Sequence, residues 1–504
     1  MSLNSRLKSA SALGRVEWGK RMLIGLLVSL SMACSTVGLA VILPGASLPR
    51  LAAVIVAPFL IALAATRNGL MALTLVWLNE QFVGVGGTWI TLGPVNGRAL
   101  LLACLIAASL LAKLNRGQTE AKEHKRNQWV LFYGLVLPVL LAYYAVTVKD
   151  VAGGAAFSDV SRFGAVLAYF PVYYCLKTLR WFMVGWLLGA TGLLAVLFVL
   201  LAMAPGSISL VLMEKWIEGL SLVNSESIVT GVLATGRASF VPLIYCLIGL
   251  FLGLVVVIMY RELFAKTVGF CIVLATASAF VVNFIRGPIL GIIAAVLILF
   301  VGLMRAAAWR NAAKLATIVA VLVAGGFLFT VTYLPTSFDK WQIVGEDMEE
   351  IINPVRVEQT QLMLKAWSND PLLGSGVGSP IANYSRTDEG QGLAFEEQYP
   401  MVLYRTGIVG FIVILAPFIL FIGRSLQLIV RSPGRVRTPE GLINMAMCGA
   451  VMALLVASIF NPYLASSMAV VFIVIFIASD SAIRFPVARI DRRPARRHKM
   501  HKNA

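Results

Sequence analysis

Apolar stretches of about 20 residues recur along the whole chain, and this recurrence limits the possible folds more than any other feature. A soluble globule cannot bury so many of them, because 59% of the 504 residues are hydrophobic and only 13% are charged. The runs are continuous rather than alternating, which selects helices over barrel strands. A helix in lipid satisfies its own backbone hydrogen bonds. The expected fold class is therefore an all-α polytopic membrane protein. Fourteen spans are expected (12–14 as a range), beginning near residues 22, 50, 68, 97, 128, 162, 181, 239, 267, 288, 314, 402, 441 and 464.

The loops between these spans sort by their lysine and arginine content. One alternate set is basic: the N-terminus, Arg67, Lys113 to Arg126, Lys177 to Arg180, Arg261 to Lys266, Arg305 to Lys314, Arg424 to Arg437, and a tail from Arg484 onward. An even number of spans with both termini in the cytoplasm fits this pattern. The first span follows Arg6, Lys8, Arg15, Lys20 and Arg21 and lacks a cleavage pattern, so it reads as an uncleaved first helix. The formal net charge of +18 then serves cytoplasmic anchoring and contact with lipid headgroups, not nucleic-acid binding.

On the other side, the longest segment runs from 335 to 405 and holds eleven acidic residues against five Lys and Arg. This divides the chain into transmembrane helices 1–11 (1–334), a large outer loop with amphipathic helices (335–405), transmembrane helices 12–14 (406–483) and a basic cytoplasmic tail (484–504). All six cysteines lie in expected spans, so no disulfide framework or cysteine metal site is expected in the loop. The three histidines, His124, His498 and His501, fall on the cytoplasmic side, which removes histidine chemistry from the outer face. No metal and no cofactor is expected. The acidic run Gly345 to Glu350 reads as a solvated cluster, with divalent-cation binding as the alternative. Within the loop, Asn353-Pro354 reads as a cap and first turn, and Val355, Leu362, Met363 and Trp367 follow at helical spacing. This predicts an amphipathic helix ending at Asn369-Asp370-Pro371, packed on neighbouring loops or on the membrane surface. Gly374-Ser375-Gly376-Val377-Gly378 follows as a flexible turn and is weak evidence for a phosphate loop.

Isolated arginines on the expected outer side carry more information. Arg162, Arg237, Arg286, Arg356 and Arg405 all fall there. Arg286 stands between two apolar runs at a Gly-Pro break, with no adjacent acid. A charge at such a place faces a cavity or a partner, snorkels to the headgroups, or forms an internal ion pair. Converging arginines would make a receptor for phosphate, because the guanidinium fork pairs with phosphate oxygens and stays charged. Asp159 with Arg162 reads as a local ion pair at a helix start.

The order "FIRGPILGIIAAVLILF", "NPVRVEQTQLMLKAW", "DPLLGSGVG", a carboxylate-bearing stretch and "LYRTGIVGFIVIL" resembles the superfamily of O-antigen ligases and Wzy-type O-antigen polymerases. The likeness covers about residues 230 to 425 and implies a glycosyltransferase C-like fold in the bacterial inner membrane. Members of the ligase kind carry a His-Asn pair eleven residues before the first glycine of the last motif; counting back from Gly407 lands on Glu396, followed by Glu397. A carboxylate there can still act as general base, so the departure moves the expectation from ligase to polymerase.

The resemblance implies a donor glycan on undecaprenyl diphosphate, a second lipid-linked repeat as acceptor, and inversion at the anomeric carbon without a metal. It assigns Arg286 and Arg237 to the diphosphate, Arg356 and Arg405 as loop-side contacts, Arg162 as a further arginine of that face, and Glu396 or Glu397 as base. It also implies membrane lipids and a chain-length regulator as partners. Alternatives are ligase-type transfer to another acceptor, a polysaccharide or lipid flippase, and a wall-building polymerase of the shape, elongation and division type.

Overall fold

The structure is a computed structural model that describes residues 19–32, 67–83, 91–92, 95–96, 101–107, 127–203, 241–260, 262–282, 286–305, 308–333, 354–381, 398–459, 463–465 and 467–484. Helices dominate these residues; the only strands among them form a small antiparallel hairpin, Thr91–Leu92 with Val95–Asn96. The helices that position the site are α1 (19–32) and α2 (Arg67–Val83), then α3 (Asn127–Thr147) and α4 (Gly153–Ser161). The chain continues through a 3-10 segment, Arg162–Ala168, into α5 (Tyr169–Met203). There follow α6 (Cys246–Met259), α7 (Leu263–Val282), α8 (Arg286–Arg305), α9 (Trp309–Tyr333), α10 (Pro354–Trp367), α11 (Gln398–Arg431), α12 (Pro439–Ala457) and α13 (Ser467–Arg484).

Six helical runs among the described residues are long and apolar enough to cross a membrane, and two shorter apolar helices accompany them. Large apolar side chains on their outward faces, such as Val139 and Leu140 on α3 and Leu297 on α8, are more than half exposed. Water would penalise such a surface heavily, whereas acyl chains solvate it. The protein is a multi-pass membrane protein. The spans expected from near 162 and 181 fall on two helical stretches within Gly153–Leu200 that meet at Arg180, whose backbone leaves helical geometry. Arg180 there pairs with Glu440 at 3.2 Å. The span expected near 50 lies outside the described residues.

Small residues let the helices approach closely, as in lipid generally. A Cβ on Gly185 would strike the backbone of Met22, joining α5 to α1, and one on Gly291 would strike that of Ala453, joining α8 to α12. Buried aromatic residues fill the interior: Tyr245 stacks on Phe472 at 5.7 Å, and Phe82 meets Trp186 edge-on at 5.8 Å. Local signals set the boundaries of the helices. Thr438 accepts the Gly441 N–H at 3.1 Å with Pro439 opening α12, while α10 opens on Pro354 as its sequence predicts.

Candidate active site

The glycine-rich loop between α10 and α11 is a packed connector, which corrects the expectation of a flexible turn. Its backbone bonds run to the kink of α11. Ser375 N–H donates to the Tyr404 carbonyl at 2.8 Å and Gly376 N–H to that of Arg405 at 3.0 Å, while Ile408 N–H donates to the Pro371 carbonyl at 2.9 Å. The kink lies at Gly407, with φ of 61° and ψ of −174°, a conformation costly for any residue with a side chain. A Cβ at Gly407 would run into the backbone of Leu372, and one at Gly374 would lie 2.5 Å from the Gly407 nitrogen. The glycines thus let two backbones meet. They do not form a phosphate cradle, because their N–H groups at Ser375 and Gly376 are already given to carbonyls.

Two side chains at the C-terminal end of α3, Tyr144 within it and Lys149 just beyond it, reach the start of the same loop. Lys149 pairs with Asp370, with the Tyr144 hydroxyl 3.3 Å from the same carboxylate. The lysine hydrogen bond holds the Asp370 carboxyl below its ordinary range, and the same bond raises Lys149 above its own. The helix α10 packs against the loop and α11 through Met363, fully buried with Ile381, Met401 and Tyr404, while Val357 and Leu364 are more than a third exposed. Its buried side packs on neighbouring protein, but its apolar residues are not gathered on one face as the sequence predicts.

At the inner edge of this loop lies a cluster of three ionisable groups. Asp159, on α4, accepts a hydrogen bond from Arg405 Nη1 and another from the Gly378 N–H at 2.9 Å. Its other oxygen lies 3.5 Å from Arg162 Nη2. Arg405 is buried with its side chain 7% exposed, while that of Arg162 is 37% exposed. The structure therefore brings together two of the five expected arginines, with Asp159 between them. Arg405 is a buried ion-pair partner of Asp159 that also lines the cleft.

Arg286 is the first residue of α8 and Arg356 lies in the first turn of α10. Arg237, Glu396 and Glu397, like the acidic run 345–350, lie outside the described residues. Asp159 is the residue that sequence reasoning reads only as the local partner of Arg162, a pair the structure contains. Its spacing to Arg162 shows a local pair, but its bond to Arg405, 246 positions away, has no sequence signal.

All three groups line one end of a cleft of about 380 Å³. The rest of its wall is mainly apolar, supplied by α3, the 3-10 segment, α11 and α13: Val130, Phe163, Val166, Leu415, Phe418 and Ile473 among others. Both near walls depart from α geometry. The segment Phe132–Val136 of α3 is a π-helix, a feature common at functional sites, and Tyr133 within it lines the cleft and donates to the Val413 carbonyl at 2.8 Å. Arg424, its guanidinium 5.4 Å from the centre of the Phe421 ring, also lines the cleft, 19 residues along α11 from Arg405. A second groove, between α8 and α9, is lined by Val296, Phe300, Leu315 and Val323 and has no ionisable wall.

The cleft is thus mainly apolar, with Arg162, Arg405 and Arg424 as cations and Asp159 as the acid of its wall. One carboxylate between two guanidiniums repels a metal cation and attracts an anion. An amphiphile with an anionic head matches this arrangement.

Residues 270–415 match the family model described as O-antigen ligase. The comparison with curated proteins gave no match. The matched span begins within α7, contains the glycine loop and Arg405, and ends inside α11. Over residues 270–415 the chain is similar to the O-antigen ligase family, which supports the expected resemblance to the superfamily of O-antigen ligases and Wzy-type polymerases.

Proposed function

We propose that this protein is a membrane glycosyltransferase of the polymerase kind, which moves a glycan from undecaprenyl diphosphate onto a hydroxyl of a second lipid-linked repeat at the outer face of the inner membrane. The observation that carries this reading is the cleft in which Arg162 and Arg405 head an apolar channel, in contact with the loop inside the O-antigen ligase domain. A polyprenyl chain would lie along the apolar wall. Its diphosphate would meet the arginine end.

In this reading the acceptor hydroxyl oxygen attacks the anomeric carbon while the bond from that carbon to the diphosphate oxygen breaks. The departing oxygen takes the electron pair and the hydroxyl proton goes to a carboxylate. Arg162 and Arg405 oppose the charge that builds on the diphosphate, with Arg286, Arg237 and Arg356 as further cations of that face. Direct displacement inverts the anomeric centre, and arginines supply the charge stabilisation without calling on a metal. Glu396 or Glu397 is the proposed base. Glu397 immediately precedes Gln398, a buried residue that lines the cleft, so the chain enters the cleft wall one residue later. The division at residues 335–405 into a periplasmic loop, with both termini cytoplasmic and a chain-length regulator as partner, belongs to the same proposal.

The description of the matching family favours a second reading, transfer to a different acceptor as in a ligase. One assay separates the two. Purified protein in lipid nanodiscs, given an undecaprenyl-diphosphate-linked repeat and a chelator, is expected to release undecaprenyl diphosphate and lengthen the glycan. Transfer only after another acceptor is added would support the ligase, and movement of the lipid across the bilayer without transfer would support a flippase. Changing Glu396→Gln and Glu397→Gln together should lower turnover by about 10²-fold or more. Unchanged turnover removes both from the role of base.

A further inference from the structure

We propose that Asp159 is the positioning residue of the donor site and that its negative charge sets how readily the spent lipid diphosphate leaves; the inference rests on the glycosyl-transfer reading above. Three observations meet at this carboxylate. It joins the buried Arg405 to the half-exposed Arg162, it accepts the Gly378 N–H, and it lines the cleft with both arginines. A carboxylate serving only to dock the loop needs neither arginine. One serving only as an ion-pair partner does not need a backbone bond from a glycine fitted against α4. A Cβ at Gly378 would lie 2.6 Å from the backbone of Ala155, so the contact between loop and helix that presents this N–H requires a glycine.

The charges decide what such a group does. Two guanidiniums and one carboxylate leave the cluster at +1, from +2 and −1. A glycosylated diphosphate carries about two negative charges, and breaking the sugar bond exposes another ionisable oxygen, so the departing lipid diphosphate approaches about −3 near neutral pH. Bare arginines would hold this product more tightly than the donor and slow each cycle. Asp159 counteracts the effect, because its repulsion grows with the charge on the product. Because the Gly378 N–H also holds the carboxylate, Arg405 is fixed relative to the loop instead of following the phosphate into the cleft.

The test uses the full chain in lipid nanodiscs and undecaprenyl diphosphate alone as the binding probe, with turnover measured separately. Asp159→Asn keeps an oxygen for the Gly378 N–H and removes the charge. Its expected signature is product binding and product inhibition tighter by about tenfold, a lower donor KM and a lower kcat. A purely structural role would lower kcat without tightening product binding, and product binding unchanged or weakened in Asp159→Asn overturns the proposal. Asp159→Glu, which keeps the charge, should bind product within about twofold of the native protein; tightening like that of Asn counts against the role of charge. If the Asn protein does not fold, Asp159→Ser is a second neutral acceptor and is read in the same way. Native protein that fails to bind undecaprenyl diphosphate removes the donor reading of the cleft altogether. Native protein that binds it, with the neutral variants binding no tighter, removes only this inference.

Discussion

Arg162 and Arg405 share one carboxylate but differ in what each supports. Arg405 is buried, so Arg405→Ala leaves Asp159 without its principal counter-charge and takes away an interior side chain. The expected result is a lower melting temperature together with loss of transfer. Arg162 is more than a third exposed, and Arg162→Ala should change stability by no more than about 0.5 kcal/mol while still weakening donor binding. Equal losses of stability in the two variants would contradict this division. Gly407→Ala tests the kink: left-handed backbone and the nearby Leu372 backbone predict a loss of about 1–3 kcal/mol, read as a lowered melting temperature in detergent. At this scale the sequence singles out Arg162 and Arg405 because both are expected on the outer side, where the charge bias discourages arginine. It does not reveal that Asp159 binds both, since that link depends on how α4 and α11 pack. Nor does the glycine run reveal its use. The same residues would suit a mobile turn, and only the positions of the Tyr404 and Arg405 carbonyls show that it is a docked one.

The elements around the site are joined by the segment 370–378, which bonds to α11 through its backbone and, through Asp370, to Lys149 just beyond α3. The pair gives a pH dependence whose sign follows from the two shifts. The Asp370 carboxyl is lowered, so its contribution is present above its unfolded value of about 4 and is lost as pH falls through its lower folded value. Lys149 is raised, so its contribution is present below its unfolded value of about 10.4 and is lost as pH rises through its higher folded value. Between about pH 5 and 9 the tether should be constant, and hydrogen exchange of the 371–378 amides, corrected for intrinsic rates, should show a flat protection profile in that window. A steep change in protection across neutral pH would contradict it. Asp370→Asn should speed exchange of these amides by a few-fold, consistent with a partly exposed pair contributing about 0.5–1 kcal/mol. The helix α10 was legible from its proline start and apolar spacing, and so was its end near Asn369-Asp370-Pro371. Which surface it covers was not, because loop and membrane both reward an apolar face.

At the scale of the whole molecule, hydropathy exposes the class of fold directly, since apolar runs of membrane length admit few alternatives. The placement of α3, α7, α8, α11 and α12 as candidate spans agrees with the sequence to within a few residues. The short α6, preceded by a 3-10 turn, and the break at Arg180 inside the Gly153–Leu200 run show why counting spans is harder than finding them. A helix shortened by a 3-10 lead or continued through a break changes the count without changing the hydropathy. The central claim is that the cleft headed by Arg162 and Arg405 holds the lipid diphosphate, while the neutral groove between α8 and α9 does not. Photo-crosslinking decides between them most directly, using undecaprenyl diphosphate with a diazirine near its head and the full chain in nanodiscs. The account predicts adducts on peptides containing Phe163 or Val166 and on the Gln398–Phe421 stretch, competed away by unlabelled lipid and reduced in Arg162→Ala. Adducts confined to residues 296–324 of α8 and α9, unaffected by Arg162→Ala, would contradict it.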